Sequence, residues 1–187
     1  MTMLITIDEY ENVASFLAHC CDAIYAALAV NAAKLDDDRC VIAAHELARV
    51  MGQHREQFDD LVRPNSQRDM STSPRVGDTI SRAFGDAANQ DHSGLLTAYV
   101  VTMLVGPKFL ITLRDVVEIS VGSSNGPLRQ RAQLTASVLL GHMHAFGEAA
   151  RHLAGLDEDE FRQLSSKLDN LFSQAGYAES FGIGPSG

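Results

Sequence analysis

Positive charge is scarce in this sequence: 15 Lys and Arg stand against 24 Asp and Glu, and the formal net charge is -9 at pH 7. Proteins that bind nucleic acids contact phosphates through clustered Lys and Arg, so this composition argues against a nucleic-acid partner. Cysteine is scarce too. Cys20, Cys21 and Cys40 lack the spacing of a zinc site, and the adjacent pair is poorly placed to form a disulfide within itself. We expect three buried, reduced thiols in a cytoplasmic protein.

Long apolar runs are also missing. The longest one, residues 95–106, covers about 12 residues, whereas a membrane-spanning helix needs about 20. Residues 1–10 lack the basic region and the apolar stretch of a signal peptide. We therefore expect no signal peptide and no membrane partner.

Common catalytic motifs are absent from the sequence as well. It has no phosphate-binding Gly-rich loop, no Gly-x-Ser-x-Gly elbow and no His-Glu-x-x-His helix. A nucleophilic role for Cys20 or Cys21 is disfavoured, because both fall on an apolar helix face where the pKa of a thiol rises. The sequence leaves open whether the protein is an enzyme.

The first part of the chain predicts a helical hairpin. Thr6-Ile7-Asp8-Glu9 has the pattern of a capping box, and apolar residues then recur at helical spacing to about Ala33. Asp36, Asp37 and Asp38 suit the start of a second helix, which runs to about Val62 before Pro64. Because the connection is only a few residues long, we expect the two helices to be antiparallel.

The middle of the chain predicts a loop and a second helical hairpin. Residues 63–78 are polar and carry two prolines, and a short helix follows around residues 80–84. Residues 95–121 are apolar on nearly every side, which predicts a central buried helix that Gly106-Pro107 kinks or divides. Residues 109–121 are rich in β-branched side chains, so a strand is the alternative there. Residues 122–127 predict a turn before a helix that ends near Gly155.

Residues 156–161 repeat the chemistry of a helix start, with Asp157 as the N-cap. We therefore predict one all-α domain over residues 1–175, an up-down helical bundle of two antiparallel hairpins with an additional C-terminal helix. Residues 176–187 predict a flexible Gly-rich tail.

Histidines are concentrated in the stretch GHMHAFGEAARH, residues 141–152. A helix turns about 100° per residue, which assigns each side chain to a face. The predicted apolar stripe consists of Leu134, Val138, Leu139, Ala145, Phe146, Ala149 and Leu153. His142 falls near the middle of this stripe, so we expect its ring to be largely buried. His144 and Glu148 fall on the opposite, solvated side.

A second inward histidine is predicted on the second helix, where His54 lies within the apolar stripe. His92 opens the central helix on a side that it shares with Met103 and Leu110. His54, His142 and His92 are therefore candidate metal ligands, although a neutral core histidine with one hydrogen bond is the more common case. A site rich in histidine and poor in carboxylates would favour a transition metal or haem as the cofactor.

The hairpin from Leu17 to Leu61, which contains HELARVMGQHREQF, resembles the first helix pair of ferritin-like bundles. In that family, a helix Glu and a Glu-x-x-His pair hold iron. His54 stands in the place of the histidine, but Met51 stands where the motif requires Glu. The resemblance implies a ferritin-like topology and argues against an intact di-iron centre.

Two functions follow from these patterns. The first is a non-catalytic helical binding or regulatory protein that acts through protein–protein contacts and forms homo-oligomers, because the apolar helix at residues 95–121 needs covering on every side. The alternative is a metal- or cofactor-binding helical bundle that uses the inward histidines.

Overall fold

The computed structural model describes residues 7–62, 98, 101–120, 122–150 and 158–174. These residues form helices and short connections, with no strand among them. The α-helices are α1 (Ile7–Ala32), α2 (Asp38–Asp59), α3 (Gly106–Ile119), α4 (Gly126–Ala150) and α5 (Glu158–Gln174). A π-helix, Val101–Val105, precedes α3, and a 3-10 turn, Ser123–Asn125, precedes α4. The all-α fold class is confirmed. The strand alternative for residues 109–121 is wrong, because α3 continues through that segment to Ile119.

The start of α2 follows from the acidic residues before it. The Asp37 carboxylate accepts hydrogen bonds from the backbone N–H groups of Arg39 and Cys40, both at 3.0 Å. These donors have no partner inside the helix, so an N-cap carboxylate stabilises the first turn. The bond from Cys40 is the largest cause of an Asp37 pKa below its usual value. The predicted helix start is confirmed.

Helices α1 and α2 pack closely along their lengths and run in opposite directions. Tyr25 lies against Gly52, and the Asp22 carboxylate forms an ion pair with the Arg55 guanidinium, with 3.0 Å between nitrogen and oxygen. As the residue number rises on one helix, it falls on the other. The predicted antiparallel arrangement of this pair is confirmed, and its connection spans only residues 33–37.

Helix α1 is more apolar than its longest uninterrupted run of apolar residues indicates. Its stretch Tyr10–Ala32 is long and apolar enough to cross a membrane by length and composition alone. Within that stretch, 56% of the most apolar window is buried inside the protein; the core helix of a soluble protein and a signal sequence near the N-terminus both have this composition. Glu11 and Asp22 interrupt this stretch in the sequence, so it forms no continuous apolar run. The expected absence of a membrane partner stays a prediction.

The interruption predicted at Gly106-Pro107 is a π-helix. Pro107 has no backbone N–H for the carbonyl of Met103, and its ring crowds that carbonyl. The turn before α3 widens accordingly, and Val101–Val105 adopts π geometry. Thr102 is fully buried in this turn, where its hydroxyl donates to the carbonyl of Ala98 at 2.8 Å. The helix thus changes its geometry at the predicted place, although the π-helix runs directly into α3 without a break. The predicted kink or division stays a prediction.

Gly106 allows α3 and α4 to approach each other closely. A Cβ added at Gly106 would lie 2.6 Å from Met143 Sδ, well inside van der Waals contact. Any larger residue therefore requires Met143 to move. This contact joins the start of α3 to a late part of α4, and a short turn connects the end of α3 to the start of α4. The two helices are therefore antiparallel.

We expect Gly106→Ala to destabilise the protein by about 1 kcal/mol. Overpacking costs about 1–3 kcal/mol, and the gain in helix propensity offsets about 0.5–1 kcal/mol of that. Gly141→Ala is the matched control on α4, since a Cβ there meets nothing within 4 Å. It is expected to stabilise by about 0.5–1 kcal/mol. Urea unfolding of both variants measures the difference. Equal stabilisation by the two would contradict the close contact.

The buried face of α4 differs from the predicted stripe. Its members are Leu128, Ala132, Thr135, Leu139, Met143, Phe146 and Ala150, which recur at intervals of three and four residues. Leu134 and Ala145 were predicted inside and are exposed. Ala149 and Val138 are partly buried. Hydrophobic residues occur on two sides of α4, and the sequence pattern predicted the side with Leu134. The side that is buried has a threonine, Thr135, at its centre.

Helix α5 begins at Glu158, next to the predicted N-cap, and its Asp169 carboxylate pairs with Lys108 of α3 at 2.7 Å. Phe161 is partly buried against the core. Several predictions lie outside the described residues: the capping box around Thr6, the Asp157 cap, and the segments predicted for residues 63–78, 80–84 and 176–187.

Candidate functional site

His54 is the predicted site residue that the structure places in the interior. It lies on α2 with 7% of its surface exposed, on the side of that helix that packs against α4. The apolar stripe of α2 predicted this position, and its burial is confirmed. A buried imidazole needs a hydrogen-bond partner, so the residue opposite it decides its chemistry.

Thr135 of α4 is that partner. Its Oγ1 lies 2.9 Å from His54 Nδ1, and the same hydroxyl lies 2.8 Å from the backbone carbonyl of Arg131. A carbonyl only accepts, so the single hydroxyl hydrogen of Thr135 goes to Arg131. His54 must then donate from Nδ1 to Thr135 Oγ1. This network assigns the neutral ring its Nδ1–H tautomer and leaves the lone pair on Nε2.

Arg131 sets the electrostatics at His54. Burial of the ring lowers the pKa of His54, and the positive charge of Arg131 lowers it further. Both effects disfavour the imidazolium. At pH 7 the ring is therefore neutral and held between α2 and α4.

Tyr10 of α1 lies near the first turn of α4. Its ring is partly buried, and burial raises the pKa of its hydroxyl. The charge of Arg131 and a hydrogen bond with the backbone N–H of Leu128 partly oppose this rise. Leu128 lies in the first turn of α4, where backbone N–H groups have no partner within the helix. His54, Thr135 and Arg131 thus form one polar cluster, which we call the α4 cluster, and Tyr10 lies near the first turn of α4.

His142 lies elsewhere in the α2–α4 interface. It is partly buried at the edge of the buried face. The expectation of a largely buried ring stays a prediction. Its charge contributes to lowering the pKa of Glu46 on α2, although the hydrogen bond from Arg49 is the largest cause. His142 and Glu46 are therefore neighbours across the interface. Met143, one residue further on, occupies the interior position instead.

The structure does not bring His54 and His142 together. His142 lies seven residues beyond Thr135, which is about 10 Å along α4 and two turns away from His54. His92 lies outside the described residues. Within the described part of the chain, no group of three or more His, Cys, Asp or Glu side chains could hold a metal ion. The assignment of His54, His142 and His92 as metal ligands stays a prediction.

The remaining histidines and the cysteines follow the expected pattern. His19, His45 and His144 are exposed, and the solvated side predicted for His144 is confirmed. Cys20, Cys21 and Cys40 are all buried and free. Burial raises the pKa of each thiol, and that of Cys21 lies well above its usual value. The prediction of buried thiols is confirmed.

Sequence reasoning missed two members of the α4 cluster, Thr135 and Arg131, and the neighbouring Tyr10. Thr135 could have been found, because it falls four residues before Leu139 and three after Ala132 on a regular apolar spacing. A polar residue at such a position needs a partner across the interface. Tyr10 and Arg131 carry no comparable signal, since they belong to different helices.

No protein-family model matches this chain, and the searches of curated proteins and of solved structures return no match either. The function is therefore inferred from the residues of the chain alone.

Proposed function

We propose that this protein is a non-catalytic helical binding or regulatory protein that acts through protein–protein contacts and associates with a second copy of itself. The supporting observation is a pair of exposed aliphatic side chains, Ile111 on α3 and Leu140 on α4. They are 61% and 59% exposed. Single exposed apolar residues are common, so the argument depends on their proximity.

Ile111 and Leu140 lie at the same level of the α3–α4 pair. From the Gly106–Met143 contact, Ile111 is five residues along α3, or about 7.5 Å at the helical rise. Leu140 is three residues back along α4, or about 4.5 Å in the same direction. The two side chains are thus within about 3 Å of each other along the helix axes. Leu110, partly buried beside Ile111, extends the apolar surface.

The exposed area of Leu110, Ile111 and Leu140 suits a symmetric contact between two copies. In a two-fold dimer the same patch on both subunits covers itself, which is the most common form of self-association. We also propose that the helices form the up-down, ferritin-like arrangement expected from the sequence. The antiparallel contacts of α1 with α2 and of α3 with α4 support it.

We expect the protein to be a dimer or larger at micromolar concentration in analytical ultracentrifugation. Ile111→Asp and Leu140→Asp are expected to shift it towards the monomer, because each places a charge in the contact. Ile42→Asp is the matched control, since Ile42 is 63% exposed on α2 and outside the proposed surface. The proposal would be contradicted if the protein is still a monomer at 100 times the lowest concentration of the dilution series. Dissociation caused by Ile42→Asp alone would contradict it as well.

A further inference from the structure

Independently of self-association, we propose that the contact between α2 and α4 is sensitive to acid: a proton taken up by His54 loosens α4 from α2, while the α1–α2 hairpin stays closed. Three features of the molecule support this. They are the buried position of the ring, its hydrogen bond across the contact, and the ion pairs that hold α2 to α1.

His54 lies inside the contact between two helices that are far apart in sequence. Its side chain is 7% exposed, and it bonds across the contact to Thr135, which lies 81 residues further along the chain. On α2 it shares the buried face with Val50, Met51 and Phe58. A charge that forms on this ring therefore forms on a mainly apolar face rather than in water, which costs free energy.

The hydrogen bond decides where an added proton goes. Nδ1 of His54 lies 2.9 Å from Thr135 Oγ1 and already carries a hydrogen, because the Thr135 hydroxyl donates to the carbonyl of Arg131. The added proton therefore goes to Nε2. The bond to Thr135 is kept, but a hydroxyl oxygen is neutral and does not offset the new charge. The cost of that charge is relieved when α4 moves away and water reaches the ring.

The groups that face α2 from the helices packed against it do not favour the imidazolium. From α4, the guanidinium of Arg131 opposes a second positive charge, and burial of the His54 ring opposes it more strongly, so the pKa of His54 is lowered. From α1, Asp22 lies level with the residue after His54 and is engaged in an ion pair there. Burial raises the pKa of the neighbouring Cys21 thiol, which stays neutral, and His19 is exposed.

The other side of α2 is held by groups that do not respond to the same change of pH. Arg55 pairs with Asp22 of α1 at 3.0 Å and with Asp59 of α2 at 3.6 Å, and Glu56 is exposed. Carboxylates and guanidinium groups ordinarily keep their charge between pH 7.5 and 5.5. The α1–α2 hairpin therefore keeps its ion pairs over the range in which a histidine becomes charged.

The direction and the size of the effect follow from proton linkage. The pKa of the His54 ring in the closed contact is below the value of about 6.5 for a ring in water, so the open state binds the proton first as pH falls. The contact is thus intact above this pH and weakens below it. For a single proton, the equilibrium constant for opening rises by at most about tenfold between pH 7.5 and pH 5.5.

Amide hydrogen exchange followed by NMR at pH 7.5 and 5.5 tests the proposal. After correction for intrinsic rates, we expect protection in α4 to fall severalfold, by at most about tenfold, and protection in α1 to change by less than about twofold. His54→Asn keeps a donor near the position of Nδ1 and cannot titrate, so it should remove most of this change. His45→Gln is the matched control, because it removes an exposed histidine from the same helix and should leave the change as in the wild type.

The wild-type ring provides a second readout, which decides the matter even if His54→Asn does not fold. An NMR titration of His54 is expected to give a pKa below about 6.5, and the nitrogen shifts at pH 7.5 should show the Nδ1–H tautomer. Titration of His54 at or above that value would overturn the proposal. So would a wild-type loss of protection in the folded His54→Asn variant, or an equal loss in α1 and α4.

Discussion

Phe146→Ala is expected to destabilise the protein by about 3–5 kcal/mol, because it empties a fully buried aromatic site. Phe146 lies on the face of α4 that packs against α2, α3 and the π-helix. The cost combines the lost transfer energy of the ring with the cavity that remains. Urea unfolding at pH 7 measures it from the shift in midpoint at an unchanged slope.

Leu134→Ala is the matched control for Phe146. Leu134 belongs to the same helix and to the stripe predicted from the sequence, but it is 49% exposed. Its truncation is expected to change the stability by less than about 0.5 kcal/mol. The pair thus tests which face of α4 is buried. Comparable losses from both variants would show that the face is assigned incorrectly.

Thr135→Val is expected to destabilise by about 1–3 kcal/mol, although valine has nearly the same shape. The change removes the only acceptor found for His54 Nδ1–H among the described residues. A switch of tautomer would not restore the bond, because Nδ1 would then be an acceptor without a donor. Thermal and urea unfolding at pH 7.5, where the ring is neutral, isolate this effect from protonation.

A double-mutant cycle separates this hydrogen bond from packing. His54→Leu combined with Thr135→Val replaces both polar groups with apolar ones, so the double variant should lose less than the sum of the single losses. The expected coupling is about 0.5–3 kcal/mol, the range for residues in direct contact. Additive losses would mean that His54 and Thr135 contribute to stability separately.

The helices were predictable because their starts and interruptions have local causes. Asp37 caps α2 through its own carboxylate, and Pro107 disrupts the turn before it in any helical context. Both signals act within a few residues. The spacing of apolar residues on α2 likewise placed His54 inside correctly.

The site was less predictable because it depends on contacts between helices. On α4, apolar residues occupy more than one face, so periodicity alone favoured the side with Leu134 over the side with Thr135. The rotation of α4 is decided by what α2 and α3 offer, including the space that Gly106 leaves for Met143. Arg131 acts on Tyr10 only through the packing of separate helices, which no local pattern encodes.

The π-helix before α3 acts geometrically like a single inserted residue. Its bonds close over one residue more than those of an α-helix, and each residue turns an α-helix by about 100°. Relative to an unbroken α-helix through Ala98, the faces of α3 are therefore rotated by roughly that angle. The number of residues in the π-helix Val101–Val105, as much as side-chain chemistry, decides which side of α3 packs against α4. That count places Phe109 and Leu113 in the core and leaves Ile111 outside.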